Sequence, residues 1–165
     1  MQPTAQTLRF ALLIGLTVAA LLARSRHADR LEILVVDAGA RPEHPADKDL
    51  GLRVSALSPG TLAILDELGV WDRIPTGRVS PFRGMRVWDA DGHAKLEFEH
   101  TALGLPELGH IVENNLIVDS AWAALAGVDV FCPAKLTDIA VHSSHAEAFL
   151  DDGQVISAQL IVGAE

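Results

Sequence analysis

The run LEILVVD, residues 31–37, constrains the fold more than any other stretch. It is almost continuously apolar, rich in β-branched side chains, and it ends in an acid. A strand that is apolar on both faces must be covered on both, the condition met by parallel strands in an α/β protein. The preceding segment fits this. Residues 11–26 are dominated by Ala and Leu, contain no proline, and predict a helix. In a dinucleotide-binding βαβ unit, an acid placed like Asp37 takes hydrogen bonds from the adenosine ribose hydroxyls. The plainer alternative, an acid that ends a strand in solvent, stays open at this point.

The predicted first helix has a second interpretation. Leu8 and then Phe10 to Ala23 form an apolar run, with Arg9 near its start and Arg24 and Arg26 after it. The run is shorter than the roughly 20 apolar residues of a membrane span. It matches the roughly 7–15 apolar residues of a signal-peptide core, and equally a buried helix of a nucleotide-binding domain. The polar residues 1–7 ahead of it are expected to lack regular structure.

Composition narrows the partners. The chain of 165 residues is long enough for one domain with a real core, and 49% apolar with 21% charged residues is ordinary globular usage. A net charge of -9 and the lack of any Lys/Arg-rich run exclude nucleic acid as the natural partner. The single Cys132 excludes an internal disulfide and a cysteine-based metal site.

Residues 39–50 carry two prolines, a glycine and many charges, and predict a loop. Ser58 is an expected N-cap, Pro59 suits the first helical position, and Leu62, Leu65 and Leu68 share one helix face up to a stop at Gly69. Residues 75–81 are expected to be a connection. Residues 84–99 alternate about Asp91-Gly92 and predict a hairpin. Residues 101–109 look irregular and 113–126 helical. VDVF, residues 128–131, predicts a strand. Residues 135–142, 146–151 and 154–163 predict a meander with a turn at Asp152-Gly153. The layout is α/β with an inserted sheet.

Few residues stand out for chemistry. A glycine fingerprint G-x-G-x-x-G should precede the first helix, where it allows a tight turn and close approach to pyrophosphate. Only Gly15 falls in place; Phe10 and Leu12 occupy the other two positions. Arg53 precedes the second helix, and arginine suits forked contact with a phosphate; a surface arginine is the alternative. Asp138, His142 and His145 show no familiar metal-ligand spacing and, like His93 and His100, are expected to be exposed turn and strand residues, so no metal site is expected. Ser55 and Ser58 lack a G-x-S-x-G setting, which argues against a hydrolase. Trp71, Trp88 and Trp122 are expected in the core or an interface. No catalytic residue is identified.

Several motifs in fixed order identify a family. GLTVAALLARS, ILVVDAG, LRVSALSPGTLAILDELGVWDRI, SPFRGMRVWDADG, LGHIVENNLI and the closing DDG…AQLIVGAE cover residues 13–165. With them the chain resembles the FAD-dependent hydroxylases of ubiquinone biosynthesis, within the para-hydroxybenzoate hydroxylase-like flavoprotein monooxygenases. The resemblance implies a partial Rossmann-like FAD/NAD(P)-binding domain with a β-meander, residues 8–74 and 110–165, and a substrate-domain hairpin inserted at 75–109. It implies FAD as cofactor, NAD(P)H or a redox partner as electron source, and an aromatic quinone precursor as substrate. It assigns Asp37 to the adenosine ribose, Arg53 to the pyrophosphate and ribityl portion, Glu113 and Asn114 to the ribityl side, and Gly15 to the surviving fingerprint.

The family begins with a strand and a glycine-rich turn, where this chain has MQPTAQTLRFALLI, and it continues past the last strand as G-A-D-G, where this chain reads Gly163-Ala164-Glu165. These departures imply a truncated, catalytically incomplete form with exposed apolar edges. The alternatives are a non-catalytic nucleotide-binding remnant or a small exported protein with a signal-like N-terminus. The family places the protein in the cytoplasm, at most peripheral to the inner membrane or within a biosynthetic complex, because its quinone substrate is lipid-borne.

Overall fold

The computed structural model describes residues 5–41, 50–92 and 94–164, with side chains described from Leu13 onward. In chain order the elements are α1 (Ala5–Ala23), β1 (Leu34–Val36), β2 (Val54–Leu57), α2 (Pro59–Glu67), β3 (Val79–Phe82), β4 (Gly84–Trp88) and β5 (Lys95–Glu99). They continue with β6 (Gly109–Glu113), α3 (Asn114–Ala123), β7 (Asp129–Phe131), β8 (Leu136–Val141), β9 (Ala146–Leu150) and β10 (Val155–Ala158). They form two compact units, Met1–His44 with Ala121–Glu165, and Pro45–Ser120.

In the first unit β1 and β7 pair in parallel, Leu34 opposite Asp129 and Val36 opposite Phe131. The strand is shorter than the predicted 31–37 because its partner offers only three residues. Single backbone bonds lengthen the ladder: Asp129 N–H to Ile33 O at 3.0 Å, and Asp37 N–H to Phe131 O at 3.1 Å. α1 packs beside β1 and buries Leu16, Ala19 and Ala20, the i, i+3, i+4 spacing of one helix face. The helix begins at Ala5, within the stretch expected to lack structure, and ends at Ala23 rather than residue 26.

The predicted meander is present. β9 lies between β8 and β10, antiparallel to both. Alternate residues Ala146, Ala148 and Leu150 are buried, leaving Glu147 and Phe149 on the opposite face, as the two-residue period requires. Gly153 takes φ 87° in the turn between β9 and β10, a conformation that glycine adopts without strain.

The second unit is built on β2, β6 and β3, antiparallel, with β6 central. None of these strands was expected. Residues 75–81 were read as a connection, yet β3 starts at Val79; 101–109 were read as irregular, yet β6 starts at Gly109. Glu113 closes β6, so the helix starts at Asn114 and stops at Ala123, short of residue 126. β3 accommodates Pro81 because it is an edge strand. Since β2 and β6 share a sheet with β3, the segment from β2 to β6 closes on itself.

α2 is capped as expected. Ser58 Oγ accepts the Thr61 N–H at 3.3 Å, and Pro59 occupies the first turn. At the other end Gly69, φ 65°, donates to Asp66 O and Val70 donates to Leu65 O, both at 2.8 Å. That pair of bonds is a Schellman stop. Leu68, Val70, Val112 and Ile117 are almost fully buried, each contributing about 1.5–3 kcal/mol by burial.

β4 and β5 form the predicted hairpin, Gly84 opposite Glu99 and Trp88 opposite Lys95. Its turn is wider than two residues, closed by Asp89 N–H to Ala94 O at 3.1 Å. Met85, Val87, Leu96 and Phe98 share one exposed face of this ribbon. Trp88 is 67% exposed and so does not belong to the core. Trp71 packs edge-on to His110 with ring centroids 5.4 Å apart, and Trp122 is buried. Most of the predicted loop 39–50, and His93, lie outside the described residues.

Among the described residues no helix is long and apolar enough to cross a membrane.

Candidate functional site

Asp37 is the first residue beyond β1, at the carboxyl end of a parallel strand, the edge where open α/β sheets receive ligands. Its Oδ1 accepts the Gly39 N–H at 2.7 Å, which fixes the carboxylate as an Asx-type turn. Among the described residues Oδ2 takes no hydrogen bond. Burial raises the Asp37 carboxyl above its ordinary 3.8, against the opposing pull of the Gly39 bond. A half-buried carboxylate with one uncommitted oxygen is a natural acceptor for neutral hydroxyl donors.

The same unit carries an open cleft of about 170 Å³ lined by Arg41, Trp122, Leu125, Val130 and Cys132. Sites that enclose a drug-sized ligand occupy roughly 300–1,000 Å³, so this cleft is too small to enclose a whole ligand of that size. The Arg41 guanidinium carbon lies 5.7 Å from the centroid of the Trp122 ring, within cation–π range. The buried Trp122 indole nitrogen has no hydrogen-bond partner among the described residues. Cys132 Sγ donates to Gly39 O at 3.0 Å, tying the cleft to the Asp37 turn. Burial, and then the Asp37 carboxylate, push the Cys132 thiol above its ordinary value, while Arg41 pulls the other way.

Gly15 lies within α1, with φ outside the left-handed region. A Cβ there would meet Ala164 Cβ at 3.5 Å, an ordinary contact. Phe10 and Leu12 also fall in α1.

Arg53, Glu113 and Asn114 come together in the second unit, while Gly15 and Asp37 belong to the first. Val54 opposes Glu113 across β2 and β6, and Arg53 O accepts the Asn114 N–H at 3.0 Å. Ser55 Oγ donates to Asn114 Oδ1 at 2.5 Å. Arg53 is exposed. The Glu113 carboxylate is already committed: Arg78 Nε donates to Oε1 at 2.5 Å and Arg78 Nη2 to Oε2 at 2.7 Å, and the Gly51 N–H donates to Oε2. The Arg78 bond is the main cause that holds Glu113 below its ordinary 4.5, against desolvation. Glu113 and Arg78 therefore position the segment that carries Gly51 and Arg53.

Asp138 lies on β8, and His142 and His145 flank the β8–β9 turn. Sequence reasoning missed Arg41, Arg78 and the cleft-lining position of Cys132. None sits in a local motif; each gains its place from pairing partners distant in the chain.

No family model matches the chain. The fold matches about a third of each of two solved proteins. The 2,6-dihydroxypyridine-3-hydroxylase of Arthrobacter nicotinovorans superposes with TM-score 0.55 at 16% identity, over 89% of this chain and 33% of its own. CtdE, solved in complex with FAD, gives TM-score 0.56 at 16% identity, over 89% of this chain and 34% of its own.

By sequence the chain is a relative of the ubiquinone-biosynthesis hydroxylases. It is 30% identical to 3-demethoxyubiquinol 3-hydroxylase of Escherichia coli over 98% of this chain and 42% of the enzyme. It is 28% identical to the mitochondrial ubiquinone biosynthesis monooxygenase COQ6 of Xenopus tropicalis, over 93% of this chain and 35% of that protein. The chain thus spans less than half the length of these relatives.

Proposed function

We propose that the chain supplies the nucleotide-binding part of an FAD-dependent hydroxylase acting on aromatic quinone precursors. The observation that carries this reading is the 30% identity to 3-demethoxyubiquinol 3-hydroxylase across 98% of the chain. The residues fit the adenosine end of FAD. The free Oδ2 of Asp37 would accept from the ribose hydroxyls, and the Arg41–Trp122 cleft beside it would take the ring. Arg53 would meet the phosphate and ribityl portion, with Asn114 holding its backbone and Glu113 fixing the preceding turn through Gly51. Gly15 would lie along the pyrophosphate side. When bound, FAD supplies the redox chemistry of oxygen insertion. One oxygen atom enters the ring C–H as hydroxyl, the other leaves as water, and NAD(P)H or a redox partner provides the two electrons. The chain's own contribution is to bind and orient the cofactor.

A second reading is a nucleotide-binding chain that does not hydroxylate. The observation favouring it is α1, which is helical from Ala5 through Phe10 and Leu12, where the family forms a phosphate-binding turn. The two readings separate on titrating the purified chain with FAD and with ADP. Saturable uptake of FAD with its flavin absorbance supports the first reading; binding of ADP without retention of FAD supports the second. A lipid-borne substrate further suggests a cytoplasmic protein working at the inner membrane surface or in a complex there.

A further inference from the structure

Outside the nucleotide site, the turn between β8 and β9 gathers three ligating side chains. His142 follows β8 directly, His145 precedes β9 directly, and Glu147 lies on β9. The turn is closed by His142 N–H to His145 O at 2.8 Å, which brings the two imidazoles face to face, 4.5 Å apart and inclined by 18°. Both Nε2 atoms point at one carboxylate: His142 Nε2 is 3.1 Å from Glu147 Oε2, and His145 Nε2 is 4.0 Å from Glu147 Oε1. One ligand atom from each of the three residues lies within 4.8 Å of the others, the one such group among the described residues.

Tetrahedral Zn²⁺ holds nitrogen and oxygen ligands at about 2.0–2.2 Å, which sets them roughly 3.3–3.6 Å apart. The observed separations bracket that spacing, so small side-chain rotations complete the triangle. A ligating histidine is normally fixed through its other ring nitrogen. Here Ser144 Oγ lies 3.3 Å from His145 Nδ1, which leaves Nε2 as the ligand. Glu147 sits on the open face of β9, opposite the buried Ala146 and Ala148, so the site is reachable from solvent.

We infer that His142, His145 and Glu147 form a binding site for a divalent transition-metal ion of the Zn²⁺ class, with a fourth position open to water. The donor set selects the metal: imidazole nitrogens suit Zn²⁺, Co²⁺, Ni²⁺ and Cu²⁺, whereas Ca²⁺ and Mg²⁺ take oxygen ligands. The site pins the β8–β9 turn and is independent of the proposed function.

The test is titration of the full chain with Co²⁺, followed by its visible d–d absorbance and displaced by Zn²⁺, at about pH 7.5, where ordinary imidazole is neutral. The expected result is one saturable ion per chain, with no competition from Mg²⁺. His142→Ala and His145→Ala should each weaken binding by at least the ~10–100-fold that loss of an outer-shell partner costs. Glu147→Gln is the variant least able to disturb folding and should also weaken it. Far-UV circular dichroism establishes that each variant is folded. Failure of the folded wild-type chain to take up Co²⁺ saturably overturns the inference. So does undiminished binding in the folded His142→Ala/His145→Ala double variant, which would place the metal on other histidines.

Discussion

Arg78 grips both carboxylate oxygens of Glu113, Nε to Oε1 at 2.5 Å and Nη2 to Oε2 at 2.7 Å. The side chains are only 13% and 8% exposed. Thirty-five positions separate them in the chain, and the bond exists because β3 and β2 both pair with β6. Breaking a buried pair leaves an uncompensated charge, at a cost of about 3–5 kcal/mol. Arg78 keeps some solvent contact, so Arg78→Ala is expected to cost about 3 kcal/mol, the low end of that range. Urea unfolding measures it; a change below about 0.5 kcal/mol, the size of an ordinary surface substitution, would show the pair to be incidental.

The same pair has a pH signature. The folded Glu113 carboxyl sits below its ordinary 4.5. A depressed carboxyl contributes stability that is present above the unfolded value and is lost as pH falls through the folded one. Between neutral pH and acid, stability should therefore start to fall near pH 4.5. Glu113→Gln should flatten that part of the acid limb. An unchanged acid limb in this variant would contradict the arrangement.

Asp37 has the opposite sign. Burial raises its folded carboxyl above 3.8, so its charge costs stability at neutral pH, and the cost disappears as pH falls through the folded value. Asp37→Asn is then expected to raise the Tm of the unliganded chain at neutral pH. Binding residues held at such a cost are common in functional sites. A lowered Tm would mark Asp37 as a structural residue instead.

Cys132 reports on the cleft, because it lines the cleft and is the one cysteine in the sequence. Burial and the neighbouring Asp37 charge hold the thiol in its unreactive protonated form at neutral pH. Alkylation should be slow at neutral pH and slow further when FAD or ADP is added. Labelling at the rate of a free thiol, or labelling indifferent to nucleotide, would separate the cleft from the nucleotide site.

Local chemistry made part of this legible in sequence. Ser58, Pro59 and Gly69 bound α2 through contacts within a few residues, and Asp152-Gly153 turns β9 into β10, so both were readable without the fold. LEILVVD announced a parallel strand, but its residues are half-buried rather than buried, and its partner β7 limits the paired part to Leu34–Val36. β2, β3 and β6 were not legible. Their register links Val54 to Glu113 and Val79 to Val112, and no local periodicity encodes a pairing across such distances. The cleft escaped notice for the same reason: Arg41, Trp122 and Cys132 meet only through the pairing of β1 with β7. His142 and His145 were visible as a pair, but Glu147 joined them only once the turn had closed.

Whether Asp37 holds the ribose of a flavin dinucleotide, as proposed, is tested most directly by titration calorimetry of the full chain with FAD and with ADP, for the wild type and for Asp37→Asn. Ribose hydroxyls donate to the ionised carboxylate, so affinity should be full above the raised Asp37 value and should decline as pH falls through it. A charge-assisted hydrogen bond is worth about 1.5–3 kcal/mol, so Asp37→Asn should weaken both ligands by at least about tenfold. The account predicts saturable binding by the wild type and that loss in the variant. A folded wild-type chain that binds neither ligand, or an Asp37→Asn chain that binds them as tightly at every pH, would contradict it.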